Sequence, residues 1–90
     1  MNKNNFLQHI KVRICYDKEL KMITKKDFEN AIVSEGINFV TFLHFIFSSY
    51  PDITKKFPPG TLGFKLNGKA PGGYDILQDG DILELVTSLT

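Results

Sequence analysis

Three aspartates crowd the last fifth of the chain: Asp75, Asp79 and Asp81. Closely spaced carboxylates can hold a divalent cation, because hard cations gather several oxygens at one point. The spacing here matches no cation-binding loop. Turn chemistry accounts for Asp79-Gly80-Asp81 without a metal: aspartates bond to nearby backbone and the glycine supplies a positive φ. No metal site is assigned. Cys15 is the lone thiol. Lys11 and Arg13 fall on its side of a strand pattern, and neighbouring cations can lower a thiol pKa. No second cysteine accompanies it, so it reads as a bystander. His9 and His44 are far apart, and neither stands at ligand spacing from a cysteine or carboxylate. His44 lies off an apolar helical stripe and is expected to face solvent. Gly72-Gly73 lacks the spaced glycines, the lysine and the following helix of a phosphate loop. Lys55-Lys56 reads as a solvated loop pair. With no nucleophile–base pair, metal cluster or phosphate loop, no catalytic residue and no cofactor is assigned.

Composition sets the bounds. Ninety residues are read as one domain over 1–90, able to bury roughly 60–65% of the surface of its unfolded chain. A formal net charge of +1 gives no electrostatic case for wrapping nucleic acid or an anionic membrane. One cysteine excludes an internal disulfide framework and fits a reducing compartment. No apolar run approaches the roughly 20 residues of a membrane span. The start, Met1-Asn2-Lys3-Asn4-Asn5, lacks the apolar core of a secretory signal. The expectation is a cytoplasmic protein with a loose end over 1–7.

The elements follow from periodicity. Ile10, Val12 and Ile14 alternate with Lys11, Arg13 and Cys15, the period of two of a half-buried strand. Tyr16 to Lys26 is charged and patternless and reads as a connecting loop. Phe28 to Val33 forms a second strand, and Ser34-Glu35-Gly36 breaks the chain. Asn38 can cap a helix by accepting a bond from a free amide of the first turn. Phe39, Phe42, Leu43, Ile46, Phe47 and Tyr50 follow at spacings of three and four, a single apolar stripe. Pro51 ends that helix. Phe45 falls outside the stripe, and two uses are open to it: packing on the neighbouring loop, the favoured one, or anchoring a partner. Asp52 to Gly60, with Pro58-Pro59-Gly60, reads as a loop. Leu62 to Leu66 is a third strand, Asn67-Gly68 a tight turn, and Ile82 to Val86 a last strand.

Three short stretches carry a resemblance: Glu35-Gly36-Ile37-Asn38-Phe39 at the helix start, Tyr50-Pro51 at its end, and Leu66-Asn67-Gly68 followed by Leu77 and Asp79-Gly80-Asp81. In these the chain resembles the ubiquitin-like sulfur carriers, the small subunit of molybdopterin synthase and the thiazole-pathway carrier, from about Ile10 to Thr90. The resemblance, with the element order, implies an α+β, β-grasp fold. Its mixed sheet would have four or five strands, the first and last parallel in the middle, and one main helix would pack across it. The motifs are turn chemistry and specify a backbone path more than an activity.

The carriers end in Gly-Gly, whose terminal carboxylate is activated and carries sulfur. Here Thr87-Ser88-Leu89-Thr90 stands where their tail runs, and a β-branched threonine is expected to fit poorly in a channel shaped for glycine. The leading expectation is a non-enzymatic protein-binding module that docks onto a larger partner, by resemblance a sulfur-transfer or adenylating enzyme. Its contact residues are expected to be Leu85, Val86, Thr87, Ser88, Leu89 and Thr90 in the tail (87–90), with Lys11 and Arg13 on the outer sheet face. The alternative is a genuine sulfur carrier in molybdenum-cofactor or thiamine synthesis whose Gly-Gly end is absent from this chain. A third reading is an RNA-associated β-grasp module, disfavoured by the near-zero charge.

Overall fold

The computed structural model describes residues 8–58 and 60–87. The alternating stretch is strand β1, His9–Tyr16, and it pairs antiparallel with β2, Phe28–Ser34. β3, Gly63–Leu66, pairs antiparallel with β4, Ile82–Val86. β4 runs parallel to β1, and the sheet order is β2-β1-β4-β3. The first and last strands therefore lie side by side in the centre, and β2 and β3 are the edges. This is the β-grasp arrangement, with four strands.

One face of the sheet is apolar because the strands alternate in phase. Ile10, Val12, Ile14 and Tyr16 of β1 and Leu83 and Leu85 of β4 are buried. The apolar stripe of the long helix meets them: Phe39, Phe42 and Ile46 are buried in the same cluster, and Leu43, Phe47 and Tyr50 pack half-buried at its margin. Phe64 of β3 meets the edge of Phe39, with ring centroids 5.5 Å apart, a favoured aromatic geometry.

That helix, α2, spans Phe39–Ser49. Its first three amides have no partner within the helix, and each finds one outside it. Phe39 N–H donates to the Asp75 carbonyl (2.8 Å) and Val40 N–H to the Gly73 carbonyl (3.1 Å). Thr41 N–H donates to the Asn38 side chain (2.9 Å). The irregular stretch around Pro71-Gly72-Gly73 is thus an outer cap for α2. Asn38→Ala should lower stability by about 1 kcal/mol, read as a fall in the urea midpoint at unchanged slope.

Two segments expected to be loops are helical. α1, Lys18–Thr24, occupies the stretch from Tyr16 to Lys26. Asp17 caps it, accepting from Leu20 N–H at 3.1 Å, and Lys25 closes it in the left-handed region with φ 65°. Leu20 and Thr24, four apart, are its buried face. Two turns supply too few apolar repeats to stand out against Lys18, Glu19 and Lys21. α3, Pro51–Lys56, overturns the loop expected from Asp52. Pro51 does end α2, but it also starts α3, because proline's missing N–H and fixed φ suit a first helical position. Ile53 is fully buried on α3, and Lys55 and Lys56 lie in its last turn rather than in a loop, where the helix dipole favours cations.

Candidate functional site

β4 delivers the chain to the top of the sheet between β1 and β3. Its alternation sends Leu83 and Leu85 inward and Ile82 and Glu84 outward. Leu85 is 1% exposed. Its side chain belongs to the core, which corrects its expected place among contact residues. Val86 and Thr87 are half-buried. Ser88, Leu89 and Thr90, the outer part of the expected contact segment, lie outside the described residues.

The root of that segment is held by a carboxylate that the sequence reading passed over. Asp17 uses one oxygen to cap α1 and the other to grip Thr87. Its Oδ2 accepts from Thr87 N–H at 2.6 Å and from Thr87 Oγ1–H at 2.7 Å. Asp17 stands at the end of β1, one residue past the Tyr16–Leu85 pair, so the parallel strands place it beside Thr87. Burial raises the Asp17 pKa, but the bonds from Thr87 and from the amides of Leu20, Thr87 and Glu19 outweigh it. The group therefore titrates below its ordinary value of 3.8. The signal in the sequence was local: an aspartate three residues before a buried leucine is a helix cap. The grip on Thr87, 70 residues away, had no local signal.

A second polar cluster lies behind the same end of the sheet. Glu29 of β2 accepts from the hydroxyls of Tyr16 and Tyr50, the latter at 3.0 Å, and from Lys26 Nζ at 3.0 Å. The two tyrosine rings meet edge to face, centroids 6.0 Å apart. Burial, then the bond to Glu29, pushes the Tyr16 hydroxyl far above its ordinary range. Burial raises Glu29, yet its three donors prevail and hold it below its ordinary 4.5. A carboxylate held lower in the folded than in the unfolded state contributes stability that is fully present above its ordinary pKa. That contribution is lost as pH falls through the folded value. Stability should therefore hold near neutrality and fall below the ordinary glutamate value of 4.5. Glu29→Gln should flatten that fall, in urea midpoints measured from neutral pH downward.

Lys11 and Arg13 are exposed on the outer sheet face, as the alternation implies. The structure does not bring them to Thr87. Arg13 is opposite Ile82, where β4 begins, and Gly80 N–H donates to the Lys11 carbonyl. From Ile82 to Thr87 is about 16 Å of extended chain. They stand at the opposite end of β4 from Thr87. Arg13 is also engaged, lying 4.4 Å from the Phe28 ring centre and donating to Asn30 at 3.3 Å.

The other residues singled out for chemistry serve the backbone. Asp79 accepts from Lys11 N–H (2.8 Å), Asp81 from Gln78 N–H (2.7 Å) and from the Asn67 amide (2.9 Å), and Asp75 from Gly72 N–H (2.8 Å). Among the described residues no three metal-binding side chains converge. The Cys15 thiol is pushed up by burial and by Glu84, against the smaller opposite effect of Arg13. The cations do not activate it. His44 is exposed. No described helix is long and apolar enough to cross a membrane.

No protein-family model and no curated protein sequence matches the chain. Solved structures do. A protein from Pyrococcus furiosus assigned as molybdopterin converting factor subunit 1 superimposes with a TM-score of 0.77 at 17% identity, covering 89% of this chain and 99% of its own. The small archaeal modifier protein 1 of Haloferax volcanii gives 0.76 at 13% identity, covering 89% of this chain and 97% of its own. That of Methanosarcina acetivorans gives 0.71 at 13%, covering 92% and 97%. At these identities the likeness is one of fold. The chain has the ubiquitin-like β-grasp fold shared by these small carrier and modifier proteins.

Proposed function

We propose that this chain is a non-enzymatic ubiquitin-like protein of the sulfur-carrier type that works by presenting its C-terminal segment to a larger protein. The observation that carries the reading is the grip of Asp17 on Thr87. It anchors Thr87 beside the end of β1, so that the segment a partner would meet has a fixed base. Val86 and Thr87 form the fixed base, Ser88, Leu89 and Thr90 the contacting portion, and Lys11 and Arg13 a secondary surface. By resemblance the partner is an adenylating or sulfur-transfer enzyme. The likeness to molybdopterin converting factor subunit 1 favours a second reading, a genuine sulfur carrier. Both readings need the same docked tail and differ in whether its terminus is activated.

A photo-reactive residue in place of Leu89 should cross-link a larger protein in the native cells, and Asp17→Ala should weaken that cross-link. Cross-links from Lys11 and Arg13 alone would sink the tail-docking reading. Intact mass of the endogenous protein separates the two readings. A chain ending at Thr90 as an ordinary carboxylate supports the binding module. A longer chain ending in Gly-Gly, with oxygen replaced by sulfur at its terminus, makes it a carrier.

A further inference from the structure

Among the described residues, the edge strand β2 is unprotected in a way that β3 is not. β3 is four residues long and carries Lys65 on its exposed side, whereas β2 is seven residues with neither lysine nor proline. Exposed edges are ordinarily blunted by short strands, charge or proline, because their free amides and carbonyls template further pairing. The direction of those free groups follows from the ladder with β1. Tyr16 N–H donates to the Asp27 carbonyl, and Glu35 N–H to the Gln8 carbonyl. Antiparallel bonding alternates, so the odd-numbered residues of β2 bond to β1. Phe28, Asn30, Ile32 and Ser34 direct their backbone groups outward. Apolar surface flanks this edge on both faces. Outside, Phe28 is 47% and Ile32 60% exposed. Inside, an apolar groove of about 790 Å³ opens between β2 and α2, with Ala31, Val33 and Ile37 along it. Phe45 stands on its wall, 54% exposed.

We propose that β2 pairs with β2 of a second copy of this chain, antiparallel about a two-fold axis at Asn30, to make a continuous eight-stranded sheet. The occupant follows from the sequence of the edge. In an antiparallel pair centred on Asn30, Phe28 lies opposite the partner's Ile32 and Ile32 opposite the partner's Phe28. Each exposed apolar side chain of the outer face gains an apolar neighbour, an aromatic–β-branched pair that stabilises sheets. Three of the outward-facing backbone positions, Phe28, Asn30 and Ile32, fall into register without a slip. Lys25, just before the strand, is brought opposite its partner's Glu35. The axis is perpendicular to the sheet, so both inner faces look the same way. The two grooves, each with its exposed Phe45, then adjoin across the new pair and shield one another.

Sedimentation of the full chain over a wide concentration range tests this. The expected result is a monomer–dimer equilibrium, with slowed hydrogen exchange at Phe28, Asn30 and Ile32 as dimer forms. Ile32→Glu keeps the fold, because residue 32 is exposed and opposite Lys11 of β1, and it should abolish the dimer at concentrations where the parent is dimeric. Phe28→Lys combined with Ile32→Glu places opposite charges across the proposed register and should restore it. Circular dichroism and melting temperature confirm folding of each variant. A chain that stays monomeric at its highest soluble concentration, including one whose edge instead takes up a peptide of another protein, overturns the proposal. So does a dimer insensitive to Ile32→Glu. A dimer that Ile32→Glu breaks and the double variant does not restore overturns the register.

Discussion

Phe42→Ala should cost about 3–5 kcal/mol, the largest single effect expected in this chain. Phe42 is 1% exposed on α2, in the middle of the cluster that joins the helix to the sheet. Removing its ring deletes buried apolar area and leaves a hole that β1 and β4, locked in the ladder, cannot close. A domain of this size has about 5–15 kcal/mol of stability in total, so the variant should sit near the edge of folding. Urea unfolding checks this. The companion measurement is Phe45→Ala, one turn along the same helix, where 54% of the residue is exposed. Its effect on monomer stability should stay within about 0.5 kcal/mol. Equal losses at the two positions would mean that α2 is rotated from the arrangement described.

Asp17→Ala should lower stability by about 2 kcal/mol, of which roughly half is the lost helix cap and half the lost bonds to Thr87. Two readouts separate those parts. Amide exchange in α1 reports the cap. The chemical shift and exchange rate of the Thr87 amide report the grip on the tail. Thr87→Val removes the hydroxyl bond, keeps the amide bond and leaves the cap intact, so it should reproduce a fraction of the tail effect and none of the α1 effect. If Asp17→Ala left the Thr87 amide unchanged, the clamp would have no part in aiming the C-terminal segment.

The two helices missed by the sequence reading share a cause. α1 and α3 are seven and six residues long, too short for a 3.6-residue period to repeat visibly. Their stability comes from Leu20 and Ile53 reaching the core rather than from helix propensity. α2 was legible because its stripe runs over three turns and its cap, Asn38, stands immediately before it. β1 and β4 were legible because alternation is strict where one face is buried. β2 alternates weakly, with Phe28 and Ile32 on the outer face, and that irregularity is the feature that marks it as an unfinished edge.

What the chain's residues determined on their own was local: alternation in β1 and β4, the capped apolar stripe of α2, and the Asn67-Gly68 and Asp79-Gly80-Asp81 turns; the β-grasp order needed the family resemblance beside them. Each depends on neighbours within a few residues, where sterics and short-range hydrogen bonds act. What only the tertiary structure decided was which distant groups meet. Parallel pairing of β1 with β4 set Asp17 against Thr87, put Leu85 in the core, and separated Lys11 and Arg13 from Thr87. Packing of α2 over the sheet buried Phe42 and left Phe45 on the wall of an open groove. Those outcomes depend on strand order and register, which couple residues tens of positions apart and leave no trace in any short window of sequence.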